Sequence, residues 1–137
     1  MNIEYLPLRQ LNARFRDTIN HATQQLLSSG CYLKGDATAQ FEKAYARYIG
    51  TQHCIGCGNG FDALQLIFRA YIELGRLQPG DEVLVPANTF IASILAITEN
   101  QLTPVLIEPR MTDMQIDDSL LECDITSRTR AVLLVHL

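Results

Sequence analysis

The chain has 137 residues, 47% of them apolar and 19% charged, with a formal net charge of -4. That length supports one domain with its own core, the composition argues against disorder, and the acidic balance argues against a nucleic-acid or membrane partner. MNIEYLPLRQ lacks the basic start and apolar centre of a signal peptide and no run of about eighteen apolar residues occurs, so a cytoplasmic protein is expected.

Leu8, Leu11, Phe15, Ile19, Ala22 and Leu26 recur at steps of three and four until Ser28-Ser29-Gly30 stops them, which predicts one amphipathic helix. An extended CYLKG segment follows. Asp36 can then cap a second helix with Phe41, Ala44, Tyr45, Tyr48 and Ile49 on one side, ended by Gly50. Beyond it the pattern changes to short apolar runs at 53–57, 83–85, 105–107 and 131–135. Helix-like stretches near 60–74 and 88–100, and a looser one near 117–123, separate them. Strands apolar throughout and alternating with helices predict an α/β fold, a mostly parallel sheet with helices on both faces in three layers. Gln78-Pro79-Gly80-Asp81 and Glu108-Pro109 supply turn chemistry at two of the boundaries.

Four cysteines, Cys31, Cys54, Cys57 and Cys123, are expected to be reduced. Cys54 and Cys57 spell CxxC, but within a strand residues three apart point to opposite faces, so buried thiols are favoured over a metal or redox pair. No metal site is expected.

GCGNGFDAL, residues 56–64, joins a predicted strand to a predicted helix. It therefore lies at the carboxyl end of the sheet, where open α/β proteins bind ligands. Asn59 suits a helix N-cap, and the backbone N–H groups of Gly60, Phe61 and Asp62 form a first turn able to receive a phosphate. A capped helix with Asp62 as its capping carboxylate explains the same residues equally well. GxGxxG fails because its third position falls on Phe61, and no GxxxxGK[ST] occurs, so neither nucleotide motif is present. VPANTF, residues 85–90, is a second strand end entering a helix; Phe90 could stack on a planar ligand or serve as a first-turn core residue.

Taken together, GDATAQFEKAYARYIGTQHCIGCGNGFDALQL, PGDEVLVPANTFIASILAITEN and the later PVLIEP, ID and VHL resemble successive signatures of the DegT/StrS family of pyridoxal-phosphate-dependent sugar-nucleotide aminotransferases. The resemblance spans about residues 5 to 137 and is nearest the branch that aminates dTDP-3-keto-6-deoxyhexoses. It implies part of the large domain of a fold-type I enzyme, with residues 1–35 as an N-terminal helix and extended segment and 36–137 as an incomplete large domain. It implies that Gly60, Phe61 and Asp62 hold the cofactor phosphate, that Phe90 stacks on the pyridine ring, and that Tyr32 lies near the sugar nucleotide. Amino-sugar biosynthesis by a homodimer, with glutamate as amino donor, follows from the same likeness.

The family's cofactor-binding lysine, the aspartate on the pyridine nitrogen and a further phosphate-binding serine come later than residue 137. The two lysines present, Lys34 and Lys43, do not match the catalytic position. The chain alone is therefore expected to be an inactive N-terminal part with no catalytic residue of its own, binding pyridoxal phosphate weakly or not at all. Its apolar helix near 60–74 and terminal apolar run call for a covering segment or subunit. Two alternatives stand beside this reading: a non-catalytic assembly fragment, and a small phosphate- or nucleotide-binding module. His136, near a strand's carboxyl end, is read as structural.

Overall fold

The computed structural model describes residues 4–136. It divides in sequence into two compact units, the first ending at Gly56 and the second starting at Cys57.

The first unit is helical, with α1 (Leu8–Ala13), α2 (Arg16–Ser29) and α3 (Asp36–Ile49). The single helix predicted from Leu8 onward is in fact two. The Arg14 and Phe15 amides bond back three residues, to Leu11 and Asn12, and this tighter turn interrupts the α-helical ladder before Ile19 resumes it on Phe15. Gly30 and Gly50 end α2 and α3 in the left-handed conformation, at φ 65° and 83°. Asp36 is not the cap of α3. Gly35 takes that position in extended backbone, where a Cβ would lie 2.8 Å from the Cys31 sulfur, and Asp36 instead puts its charge in the first turn. Among the described residues of this unit only Ala46 is buried. Phe41, Tyr45 and Tyr48 run along one exposed side of α3, with ring centroids 5.5 and 6.4 Å apart.

The second unit alternates helices and strands: α4 (Gly60–Glu73), β1 (Glu82–Pro86), α5 (Ile91–Glu99), β2 (Thr103–Ile107), α6 (Asp118–Asp124) and β3 (Thr129–Val132). The sheet is parallel throughout in the order β2-β1-β3. Its middle strand, EVLVP, is buried at every position. Val83 and Val85 face a core formed with Phe68, Leu77, Ala96, Ile97 and Leu102, while Leu84 between them points to the other face and is also fully buried. An α/β architecture with a parallel sheet and flanking helices is thus present.

Two predicted strands change. Residues 53–57 form none: a strand needs a ladder partner, and among the described residues this segment pairs with no other strand. The run at 131–135 pairs earlier, at Thr129–Val132, after which Leu133 donates to the Leu84 carbonyl. With no strand at 53–57, the expectation of buried thiols also fails: Cys31, Cys57 and Cys123 are exposed and Cys54 is half-buried.

The β1–β3 pairing has an ionic lock. Glu82, only 3% exposed, accepts from Thr126 Oγ1 at 2.6 Å, Arg128 Nη2 at 2.5 Å and Thr129 Oγ1 at 3.2 Å. The Thr126 hydroxyl first, then Arg128 and Thr129, hold its carboxyl below the usual glutamate range against the opposing effect of burial. No described helix is long and apolar enough to cross a membrane.

Candidate functional site

Short connections orient the helices of the second unit. Four residues join β1 to α5 and eight join α4 to β1, so both helices run against the strands and direct their N-termini toward the carboxyl edge of the sheet. Gln65 binds them together: its side chain donates to Glu99, and its carbonyl accepts from Asn100 Nδ2 at 3.4 Å.

The α4 start is capped as its sequence predicts. Asn59 is extended, at φ -165° and ψ 179°, and its Oδ1 accepts from the Asp62 amide at 3.0 Å while its Nδ2 donates to Asp62 Oδ2 at 3.1 Å. The Ala63 amide bonds the Asn59 carbonyl. Of the three predicted phosphate donors, Asp62 has therefore already committed its amide to the cap. Gly60 and Phe61 donate to no group among the described residues, and a Cβ on Gly60 would meet open space. The Phe61 ring packs on the core and fixes this end of the helix. A Cβ on Gly58 would fall 2.5 Å from Asp62 Oδ2, so Gly58 leaves room for that carboxylate.

Phe90 is the N-cap residue of α5, in extended backbone, and 78% exposed. It is not a first-turn core residue: helix 88–100 of the sequence starts only at Ile91, because residues 87–89 form a turn in which Thr89 donates to the Pro86 carbonyl. Its ring is available to a ligand. Thr89 Oγ1 and the buried Ser93 Oγ, 2.9 Å apart, hold the first turn of α5 beneath it.

A third segment leaves the same edge. After β2, residues 109–116 turn back on themselves through a bridge between Pro109 and Ile116. Arg110 reaches Asp113 Oδ2 at 2.9 Å and Asp118 Oδ1 at 2.8 Å. The hydrogen bond from Arg110 lowers the Asp113 carboxyl below its usual range, and Asp113 in turn raises the guanidinium. Asn88 Nδ2 donates to the Met114 carbonyl at 2.9 Å, tying this turn to the loop that carries Phe90. Sequence reasoning missed Asn88, Arg110 and Glu82. An Asn two residues past a strand gives only a turn signal, and nothing local marks a buried glutamate.

Tyr32 belongs to the first unit, 59% exposed, with its hydroxyl donating to the Leu27 carbonyl at 3.4 Å. A groove of about 870 Å³ lies between α2 and α3 and is lined by Leu26, Cys31, Lys34 and Phe41, among others, but not by Tyr32. His136 is exposed beyond β3. No group of three or more His, Cys, Asp or Glu side chains able to hold a metal occurs among the described residues.

A protein-family model described as the DegT/DnrJ/EryC1/StrS aminotransferase family matches residues 14–137. The chain is 50% identical over 135 residues to the dTDP-3-amino-3,6-dideoxy-alpha-D-galactopyranose transaminase of Aneurinibacillus thermoaerophilus, covering 98% of itself and 36% of that protein. Its structure is similar to S. venezuelae DesV, with a TM-score of 0.88 and 42% identity over 98% of this chain and 35% of that one. It is also similar to E. coli GDP-4-keto-6-deoxy-D-mannose-3-dehydratase with bound hydrated PLP, with a TM-score of 0.80 and 26% identity over 86% of this chain and 31% of the other. The chain thus spans about a third of the relatives it matches. The ordered motifs, the parallel α/β unit with its open helix start and these likenesses converge: the chain belongs to the DegT/DnrJ/EryC1/StrS aminotransferase family.

Proposed function

We propose that this chain supplies the N-terminal part of a cytoplasmic, pyridoxal-phosphate-dependent aminotransferase that converts a keto-sugar nucleotide, a dTDP-3-keto-6-deoxyhexose, to an amino sugar with glutamate as donor. The observation that carries it is 50% identity, along 98% of the chain, to a transaminase named for a dTDP-3-amino-3,6-dideoxyhexose. On this reading residues 1–35 are an N-terminal helix and extended segment, 36–137 are part of the large domain, Tyr32 contacts the sugar nucleotide, and the working unit is a homodimer.

The residues present fit the cofactor. The amides of Gly60 and Phe61 donate to no group among the described residues and lie at the start of a fourteen-residue helix, where a Cβ on Gly60 would meet open space; free donors at a helix start suit a phosphate. Asp62 contributes by holding the cap on Asn59. Phe90 gives a flat apolar platform for a pyridine ring. When bound, the cofactor supplies an electron sink for the amino-group transfer. These residues bind and orient it; neither Lys34 nor Lys43 is assigned to the chemistry.

Gly60→Pro tests the phosphate assignment. Proline is accepted at the first helical position, and extended Asn59 is compatible with a following proline, so the change deletes one open amide without breaking α4. In the longer enzyme of which this chain supplies the N-terminal part, we expect pyridoxal phosphate affinity to fall about tenfold, the loss of one charge-assisted hydrogen bond, while affinity for unphosphorylated pyridoxal is unchanged. Equal loss for both ligands, or none for either, would refute the assignment.

A further inference from the structure

We propose that Asn88 and Arg110 are positioning residues: together they latch the turn at 109–116 onto the loop after β1 and so set the conformation in which Phe90 is presented. Three observations on two neighbouring connections carry this.

The first is the bond between the loops. β1 and β2 are paired in parallel from Glu82 with Thr103 to Pro86 with Ile107, so the connections after Pro86 and after Ile107 leave side by side. The Ala87 amide still donates to the Ile107 carbonyl at 2.8 Å, but beyond that point the strands part. The next hydrogen bond between the two connections among the described residues is Asn88 Nδ2 to the Met114 carbonyl, and it comes from a residue only two positions before Phe90.

The second is the conformation of the acceptor. Met114 has φ 59°, a left-handed backbone that a non-glycine residue keeps only where its surroundings impose it. Its amide donates to the Arg110 carbonyl at 2.9 Å, and the Arg110 amide donates to the Gln115 carbonyl at 2.8 Å. The Met114 carbonyl is aimed at Asn88 because the turn is closed in this way.

The third is the clamp. Arg110 spans Asp113 inside the turn and Asp118 at the start of α6, while Asp113 Oδ1 accepts from the Gln115 amide at 3.0 Å. One guanidinium thus fixes the turn on both sides, which its planar fork does and a lysine ammonium does not. Among the described residues the Arg110 side chain makes its hydrogen bonds to Asp113 and Asp118 and none to the Phe90 loop; it acts through Met114 and Asn88. The functional consequence, that the latch orients a stacking ring, rests on the assignment of Phe90 to the pyridine ring.

Hydrogen–deuterium exchange on the full chain without added cofactor tests the latch. Arg110→Ala is expected to speed exchange at the Thr89 and Ser93 amides, in the loop it does not touch, by roughly fivefold, the effect of one lost surface hydrogen bond. Asn88→Asp keeps the side-chain size but removes the donor, and should speed exchange at the Met114 and Arg110 amides by a similar factor. Arg110→Lys should fall between wild type and Arg110→Ala, and amides of β1 should keep their protection in every variant. Effects confined to the substituted loop, or an Arg110→Lys variant matching wild type, would overturn the latch. The Phe90 assignment fails by a different sign: a Phe90→Ala substitution that leaves pyridoxal phosphate affinity unchanged in the longer enzyme of which this chain supplies the N-terminal part, whatever the exchange data say.

Discussion

Replacing Asn59 separates what the α4 cap does for stability from what it does for an anion. Asn59→Ala removes the Oδ1 acceptor held 3.0 Å from the Asp62 amide and the Nδ2 donor 3.1 Å from its carboxylate. Both bonds are solvent-exposed, so the second adds little, and the cap itself is worth about 1 kcal/mol within a range of roughly 0.5–2. For a unit of this size that lowers the melting temperature by about 4–8 °C, and in urea it moves the midpoint without changing the slope. Asn59→Asp keeps the acceptor and recovers part of that loss. It also places a second carboxylate beside Asp62, at the helix start where the Gly60 and Phe61 amides point. Phosphate affinity should therefore remain low in Asn59→Asp although part of the stability returns. Urea denaturation followed by circular dichroism, paired with equilibrium binding of inorganic phosphate, reads both effects. An Asn59→Asp chain that binds phosphate as well as wild type would refute the anion reading while leaving the cap intact.

Phe90→Ala should change the stability of the chain by no more than about 0.5 kcal/mol, since the ring is exposed and outside the core, yet weaken pyridoxal phosphate binding in the longer enzyme that contains this segment; a large drop in melting temperature would show that the ring has a packing role instead. Glu82 sets an acid limit on the second unit: its folded carboxyl titrates below its unfolded value, so its stabilisation is complete above the unfolded value and lost as pH falls through the folded one. Glu82→Gln should therefore be less stable at neutral pH and show a flatter acid limb in denaturation curves taken from pH 7 down to pH 3, and an unchanged limb would exclude this group as its source.

Sequence periodicity made most of the helices legible, because α3 and α4 bury or expose whole faces and have glycine or asparagine at their ends. It misjudged 53–57, where apolar residues were taken for a strand. Apolar character reports a wish to be covered, whereas a strand exists only where another backbone completes its hydrogen bonds. The same distinction explains the break at Arg14–Phe15: the spacing of Leu11, Phe15 and Ile19 fits one helix, but two amides chose the carbonyl three residues back. At the site, the capping role of Asn59 was readable from composition and spacing. The exposure of Phe90 was not, since an aromatic at a helix start has the same local sequence whether it faces the core or solvent. Asn88 pairs with Met114, Arg110 with Asp118 and Glu82 with Arg128 across 26, 8 and 46 residues, and such pairings leave no local trace.

The order of the strands has a consequence for how this chain is made. The central strand acquires its second neighbour from a segment that leaves the ribosome well after it, with Arg128 arriving 46 positions after Glu82. At a synthesis rate of roughly 5–20 residues per second, β1 waits about 2–9 s with one edge open and a carboxylate still lacking its guanidinium. During that interval its apolar backbone is a template for any extended chain nearby. Slow translation between codons 86 and 129 would prolong this exposure, so for this unit the tempo of synthesis is a determinant of yield, independent of the stability finally reached.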